Sequence, residues 1–173
     1  LVGSGDASGE LIGGSALENV AVGEHATLQL GQSGSSNNQG QISSVLTVGE
    51  NGTLAVAEGT YKLKDVTAKK GMVNVDAGKV TFKNLTADEG SINISDGASV
   101  AVENLKLQGD SQIVAGTNMS VTELVLDKTA DAAHKITGAM TIDKLATTGD
   151  KDVTLNIGTE GENGVRGDLT LKG

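Results

Sequence analysis

The sequence predicts an all-β fold, a right-handed parallel β-helix (β-solenoid) with about seven coils of 19–26 residues. Short runs of alternating apolar residues recur at these spacings along the 173-residue chain, and such alternation is typical of half-buried strands. Aromatic residues make up only 1% of the chain, so Val, Leu, Ile and Ala must fill a narrow core. Strands of about three residues cannot form a stable sheet alone, but stacked coils align them into continuous sheets.

The first strand of each predicted coil is an alternating apolar pair. Residues 54–56 set the pattern, and residues 73–75 and 92–94 repeat it. Gly59 and Gly78 each follow such a pair three residues later, where a sharp corner needs the positive φ that glycine tolerates. Each coil is therefore expected to turn at a glycine after its first strand.

The second and third strands follow that turn. Residues 61–63 are predicted as a second strand and residues 66–68 as a third, each with its apolar side chains facing inward. Leu169 and Leu171 resemble another such pair, so we expect one more coil at that end of the chain. The third-strand column places one apolar residue in every coil: Val20, Leu46, Val66, Leu85, Leu105, Leu124 and Leu145.

The whole chain, residues 1–173, is interpreted as a single solenoid segment that is part of a longer rod. Two glycine-rich insertions interrupt the rhythm, at residues 31–40 and 158–164. Both follow a first strand, so both are expected to leave the rod along the same edge, where solenoids commonly bind partners. Residues 127–135 carry few apolar side chains and are expected to form the weakest coil.

The charge of the chain excludes two classes of partner. A net charge of −9 argues against a protein that binds the nucleic-acid backbone, and equally against docking on an anionic membrane. Lys69 and Lys70 fall one coil away from Asp88 and Glu89, so these opposite charges are expected to pair.

Uneven coil lengths favour the right-handed form over a left-handed helix of six-residue repeats.

The residues predict no reaction chemistry. His25 and His134 lie in coils far apart and are expected to be solvated loop residues, which disfavours a zinc site or a His-activated nucleophile. We therefore expect a protein that is not an enzyme and that uses no cofactor and no metal. A polysaccharide-binding or polysaccharide-cleaving β-helix remains an alternative, because the chain has 22 carboxylates and two of them can cleave a glycosidic bond.

Outward-facing amides mark two positions of the predicted coil. Asn74, Asn93 and Gln112 are placed on the outer face of the first strand, where they could contact a glycan. The pairs Asn74/Asn93 and Asn84/Asn104 are primarily interpreted as ladders whose amides hydrogen-bond from coil to coil.

Two phrases give the chain a resemblance to known proteins. LTVGENGTLAV at residues 46–56 and VAVGEHATLQL at residues 20–30, without any Cys, resemble the passenger domains of Gram-negative autotransporters and related surface adhesins. The resemblance implies an extracellular or cell-surface scaffold that mediates attachment or cell–cell association. Its partners would be host-cell or bacterial surface molecules, or the protein itself by end-to-end or lateral association. A purely structural filament or stalk is the first alternative.

One tripeptide adds a candidate receptor contact. Arg166, Gly167 and Asp168 follow the second glycine-rich insertion and resemble the integrin-binding signature of some bacterial adhesins. An exposed loop would present one guanidinium and one carboxylate to a receptor cleft. Counted back from Leu169, however, Arg166 falls in an inward column, so the last coil would have to be distorted there.

Overall fold

The computed structural model describes residues 2–3, 8–11, 15–17, 20–34, 38–158 and 167–171. These residues form sixteen β-strands and no helix, and every strand pair except the last is parallel. The strands wind into a β-solenoid of about six turns, which confirms the predicted fold class.

The strands lengthen along the chain as neighbouring strands of a coil merge. Their bounds are β1 Val2–Gly3, β2 Ser8–Leu11, β3 Ser15–Leu17, β4 Val20–Val22, β5 Thr27–Leu30, β6 Gln39–Val48, β7 Thr53–Val56, β8 Thr60–Lys69, β9 Met72–Val75, β10 Gly78–Asp88, β11 Ser91–Ile94, β12 Ala98–Gln108, β13 Gln112–Lys128, β14 Ala132–Gly149, β15 Val153–Ile157 and β16 Gly167–Leu171.

The predicted columns are confirmed by the strand register. In the first-strand column, Leu54 pairs with Val73, which pairs with Ile92. The third-strand column has seven levels, which are separated by six turns: Val20, Leu46, Val66, Leu85, Leu105, Leu124 and Leu145.

The second and third strands of a coil are continuous, whereas the sequence predicted two separate strands. In β8, Leu63 and Val66 point into the core, while Lys64 and Asp65 between them face outward in succession. Two consecutive outward residues reset the alternation, so the strand bends without ending. In β13 and β14 the first strand is merged as well.

The core is a single cluster of stacked aliphatic side chains that also contains two aromatic rings, those of Tyr61 and Phe82. Phe82 is fully buried and lies in register between Leu63 and Val102, and Tyr61 is buried beside Val80. Each level contributes the same few inward positions, which explains why a chain with so few aromatics can still bury a continuous core.

The third-to-first corner, where a coil ends and the next begins, has a glycine in the central coils. Backbone hydrogen bonds from Met72, Ser91 and Gln112 reach the carbonyls of Gly52, Gly71 and Gly90, which therefore stack. A Cβ at Gly71 or Gly90 would lie 2.5 Å from a backbone carbonyl oxygen of the preceding coil. Only glycine fits such a close approach. The same row continues with Ser111, His134 and Leu155.

The expected extra coil at Leu169 and Leu171 is wrong. Strand β16 turns back and pairs antiparallel with β15, with Leu169 opposite Leu155 and Leu171 opposite Val153. Alternation of apolar residues is the same in either direction along a strand, so the pattern fixed the strand without fixing its direction.

The two predicted insertions follow first strands, as expected, but are only partly described. In the first, Gly31–Gly34 form a turn and Gln39 already begins β6, while residues 35–37 lie outside the described residues. In the second, only Gly158 is described. Residues 127–135 are more regular than expected, because β13 extends to Lys128 and β14 begins at Ala132.

Candidate functional site

A shallow groove of about 490 Å³ lies on the outer face of the sheet formed by the second strands. It crosses β6, β8, β10, β12 and β13, a span of about 19 Å at the usual strand spacing of ~4.8 Å. The register stacks one row of outward side chains along it: Gln41, Lys62, Thr81, Ala101 and Ser120. A second lining row, two residues further along each strand, comprises Lys64, Lys83, Glu103 and Thr122.

Three lysines line the part of the groove formed by β8 and β10, between the lining residues of β6 and those of β12, and we call Lys62, Lys64 and Lys83 the lysine cluster. The register pairs on either side, Leu63–Phe82 and Asp65–Asn84, place Lys83 directly beside Lys64 on the next strand. Lys64 has one distant ion pair, with its Nζ 3.9 Å from the carboxylate of the half-buried Asp65. Lys62 and Lys83 have no ion pair with any residue that the structure describes. Three cations thus share one patch of an acidic protein.

Elsewhere the solenoid stacks opposite charges. Lys70 Nζ lies 3.4 Å from Glu89 Oε2, which confirms one of the two predicted charge pairs across coils, while Lys69 lies opposite Asp88 in the strand register. Lys144 Nζ donates a 2.7 Å hydrogen bond to Glu123 Oε1 one coil below. Like charges on directly opposed residues destabilise a sheet, so the adjacent lysines of the groove stand out against this pattern.

Both predicted amide ladders are present. Asn93 Nδ2 donates to Asn74 Oδ1 at 3.0 Å, and Asn104 Nδ2 donates to Asn84 Oδ1 at 2.9 Å. The second ladder continues to Asp65, whose Oδ1 accepts a hydrogen bond from Asn84. This ladder follows the bend in the strands, directly beside the groove, and ties successive coils together.

The three candidate glycan residues do not form one row. Asn74 and Asn93 pair in register, but the next residue of their row is Val114. Gln112 lies in the neighbouring row, opposite Ser91, because the first strand of that coil begins two residues before Val114. Gln112 is exposed on the outer face, as predicted, but one row away from the other two, and Asn74 and Asn93 already hydrogen-bond each other.

The tripeptide at residues 166–168 lies only partly within the described residues. Arg166 is outside them, while Gly167 and Asp168 begin β16. Their backbones pair with Ile157 and Asn156 in the antiparallel ladder. Two of the three residues thus lie in a strand and not at a loop tip.

The expectation for the histidines holds for one and is wrong for the other. His25 is exposed in a turn, but His134 is fully buried in β14, and neither ring nitrogen has a hydrogen-bond partner. Burial lowers the pKa of His134, and the carboxylates of Asp110 and Asp127 only partly oppose this shift. The error arises because the third-to-first corner is longer there. His134 takes the position that glycine occupies in the central coils, and its side chain is buried at that position.

The widened corner also buries Ser111, Asp127 and Lys128. Ser111 Oγ lies within hydrogen-bond distance of the Ala87 and Gln108 carbonyls, at 2.9 and 2.8 Å, so its hydroxyl is used by the backbone. Lys106 Nζ lies 2.7 Å from Asp127 Oδ2. Burial alone would raise the pKa of Asp127, but hydrogen bonds from Lys106 and Thr129 hold that pKa below its ordinary value. This cluster fills the interior and offers no open nucleophile.

The described residues contain neither a metal-binding cluster nor a membrane-spanning helix. No three His, Cys, Asp or Glu side chains in this part of the chain could hold a metal ion together. Its secondary structure includes no helix long and apolar enough to cross a membrane.

Sequence reasoning did not single out the groove, although a signal was present. In residues 61–64 (Tyr-Lys-Leu-Lys) the inward aromatic and leucine alternate with two outward lysines, and Lys83 repeats the position one coil later. Reading the outward positions of the second strand as a column would have brought the three lysines together.

The fold and the groove together define a parallel β-solenoid with an open groove along one side. No protein family model, no curated protein and no solved structure matches the chain.

Proposed function

We propose that this chain is a non-catalytic scaffold or adhesin segment that mediates attachment between surfaces or cells. The observation that supports this most directly is the open groove, which crosses five strands on the side of a solenoid with a continuous core. Glu103 is the one carboxylate among the side chains that line it. Glycoside hydrolysis ordinarily uses two, so the groove suits binding better than cleavage.

The finer parts of the proposal rest on the sequence resemblance. The phrases at residues 20–30 and 46–56 occupy equivalent strands, with Val20 paired to Leu46 and Leu28 paired to Leu54. A true structural repeat at these phrases supports a right-handed β-helix of the autotransporter passenger type. In this proposal the segment is displayed outside a Gram-negative cell and its partners are host-cell or bacterial surface molecules.

A bead-attachment assay tests the proposal. Beads coated with the chain are expected to bind bacterial or epithelial cells more than beads coated with an unrelated β-solenoid of similar net charge. A variant with Lys62, Lys64 and Lys83 replaced by Gln tests the groove, and Asp168→Glu, which moves a carboxylate by one methylene, tests the tripeptide. Attachment no better than that of the control beads would contradict the adhesin proposal.

A specific observation favours a second candidate function, a filament or stalk segment built by end-to-end association. Residues 139–149 of β14 pair with β13 on one side, and no described strand pairs with their other edge. Leu145 is 43% exposed, whereas its register partner Leu124 is fully buried. An edge with exposed apolar residues is a template for another strand, and a second copy of this repeat has apolar residues at the same spacing.

Analytical ultracentrifugation tests the second candidate. The chain is expected to self-associate as its concentration rises, and Leu145→Lys should keep it monomeric, because Leu145 continues the inward column and association would bury the new charge against the core of the second copy. Thr141→Lys, on an exposed residue of the same strand, is the matched control and should leave association intact. A monomer at every concentration would contradict end-to-end association.

A further inference from the structure

We infer that the lysine cluster is a binding site for anionic sugar units, and that the ligand is an acidic polysaccharide lying along the axis of the solenoid. The inference rests on the proposed attachment function and names the chemistry of the ligand. It is carried by the stacking of Lys64 and Lys83 and by the character of the side chains that continue the groove.

The first step is the charge arrangement. Lys62 and Lys64 extend from β8, and Lys83 lies beside Lys64 on β10, so three ammonium groups line the same part of the groove. Their mutual repulsion opposes folding. At two other exposed stacks opposite charges meet instead, Lys70 with Glu89 and Lys144 with Glu123. On its other side Lys83 lies beside Glu103, which offsets only part of the repulsion. A bound carboxylate or sulfate would relieve the repulsion in the groove.

The second step is the chemistry of the remaining groove. Several of the other lining side chains carry hydroxyl groups: Thr81 lies among the lysines on β10, Ser43 lies on β6, and Ser120 and Thr122 lie on β13. Hydroxyl groups donate and accept hydrogen bonds, as sugar hydroxyls do. Glu103 on β12 would repel an anion at that level, so the anionic units belong over β8 and β10 and neutral sugar positions belong over β13.

The third step is the shape of the groove. It runs across strands that repeat at ~4.8 Å, so it presents similar positions at regular intervals, as a linear polymer of sugars does. Single-stranded nucleic acid is a less suitable occupant, because its bases stack on exposed aromatic rings. The two aromatic residues of the chain, Tyr61 and Phe82, are both buried.

A direct binding experiment tests the inference on the whole chain. Fluorescently labelled polygalacturonate, heparin, neutral dextran and single-stranded DNA are titrated with the protein at low ionic strength. We expect saturable binding of polygalacturonate or heparin that weakens with salt, and no binding of dextran. The tighter of the two polysaccharides identifies a carboxylate or a sulfate as the preferred anion. DNA binding as tight as that of either polysaccharide would overturn the inference.

Matched variants locate the site. Replacing all three residues of the lysine cluster with Gln should weaken binding by roughly tenfold or more, because three exposed charge contacts are lost together. Replacing Lys69, Lys70 and Lys151 with Gln removes the same number of charges outside the groove lining and should change binding by less than about twofold. Equal losses of binding in the two triple variants would show that the polysaccharide is attracted by charge alone and not bound at the lysine cluster. That result would overturn the inference.

A gain of binding provides an independent test. Glu103→Gln removes the repulsion at the level of β12 and should tighten polysaccharide binding severalfold, an outcome that a merely misfolded variant cannot produce. Weaker binding by this variant would overturn the proposed placement of the ligand. Polysaccharide binding without cell attachment would retain the site and reject the adhesin function. Cell attachment without polysaccharide binding would do the reverse.

Discussion

The third-to-first corner is built differently in the central coils and in the coils of β13 to β15. Two residues separate Ala87 from Gly90, and seven separate Leu126 from the corner residue of its coil, His134. The short corners contain glycine, whereas the long ones bury Ser111, Asp127, Lys128 and His134, four of the five buried polar residues among those described.

This difference shows that backbone spacing decides which side chains a solenoid coil can hold. Where successive coils approach closely, a single Cβ would overlap a carbonyl oxygen, and the row must be glycine. Each lengthening of the corner makes room for a larger side chain, and in this chain much of the new room is filled by polar groups. Their desolvation must be offset by hydrogen bonds, and His134 has none.

The largest expected effect contrasts two residues of one core column. Phe82→Asp buries a charge without a partner in the central coils, while Ile142→Asp changes a partly buried residue in β14, whose outer edge is unpaired by described strands. Losing the Phe82 ring alone would cost about 3–5 kcal/mol, and the buried charge adds to this. Urea unfolding followed by circular dichroism should show loss of the native fold for Phe82→Asp. Ile142→Asp should retain most of its strand signal. An equal loss of strand signal in both variants would mean that the fold depends on β14 as much as on the central coils.

Substitutions in the corner row test the role of backbone spacing directly. Gly90→Ala places a Cβ 2.5 Å from the Ala68 carbonyl oxygen and should destabilise the fold by about 1–3 kcal/mol, as overpacking does. Ser111→Ala removes a hydroxyl that meets the Ala87 and Gln108 carbonyls, and should cost only about 1 kcal/mol. The urea midpoints of the two variants provide the comparison. A Gly90→Ala protein as stable as the parent would contradict the close approach.

The sequence predicted the regular part of this molecule well and the widened part poorly. The inward columns from Val20 to Leu145 follow from alternation and period, because every level repeats the same local constraint. His134 was misplaced because its burial depends on the length of a corner, which leaves no periodic signal. The antiparallel direction of β16 is not encoded in its alternation.

The candidate site shows the same division. Both amide ladders were predictable because each links residues one period apart. The lysine cluster depends on which face of a bent strand each residue occupies, and that face changes at Lys64 and Asp65. A sequence alignment by period alone therefore stacks the lysines correctly but does not reveal that they line a groove.

The pH dependence of stability should separate the two kinds of corner. Burial lowers the pKa of His134 below its ordinary value of about 6.5, so the unfolded chain takes up this proton more readily than the folded chain. Stability should therefore fall as the pH drops below about 6.5, until the folded pKa is passed. Lys106, Lys128, Asp110 and Asp127 are the charged groups around this corner.

His134→Leu tests this pH window, with a leucine already present at the next level of the row in Leu155. The variant should lose the dependence below about pH 6.5 and keep the one caused by Asp127. The pKa of Asp127 is lowered in the fold, so its contribution is lost only as the pH falls through about 4 and below. Urea midpoints measured from pH 8 to pH 2 would show the two windows, at about 6.5 and below about 4. An unchanged profile in His134→Leu would refute the assignment.

The smallest expected effect compares the two ends of the row that follows the strand bend. In the central coils Asn84 donates to Asp65 and accepts from Asn104, so Asn84→Ala should cost about 1–2 kcal/mol for two partly buried hydrogen bonds. In β14 the same row ends with Lys144, whose side chain is 66% exposed where it meets Glu123. Lys144→Ala should cost less than about 0.5 kcal/mol, because solvent screens an exposed ion pair.

The difference in stability between the two variants should also depend on salt, since ions screen the Lys144 contact and leave the amide bonds nearly unaffected. Urea midpoints in low and high salt would measure it, and a salt-sensitive Asn84→Ala effect would mean that the charge of Asp65, not the amide ladder, holds the central coils at the bend.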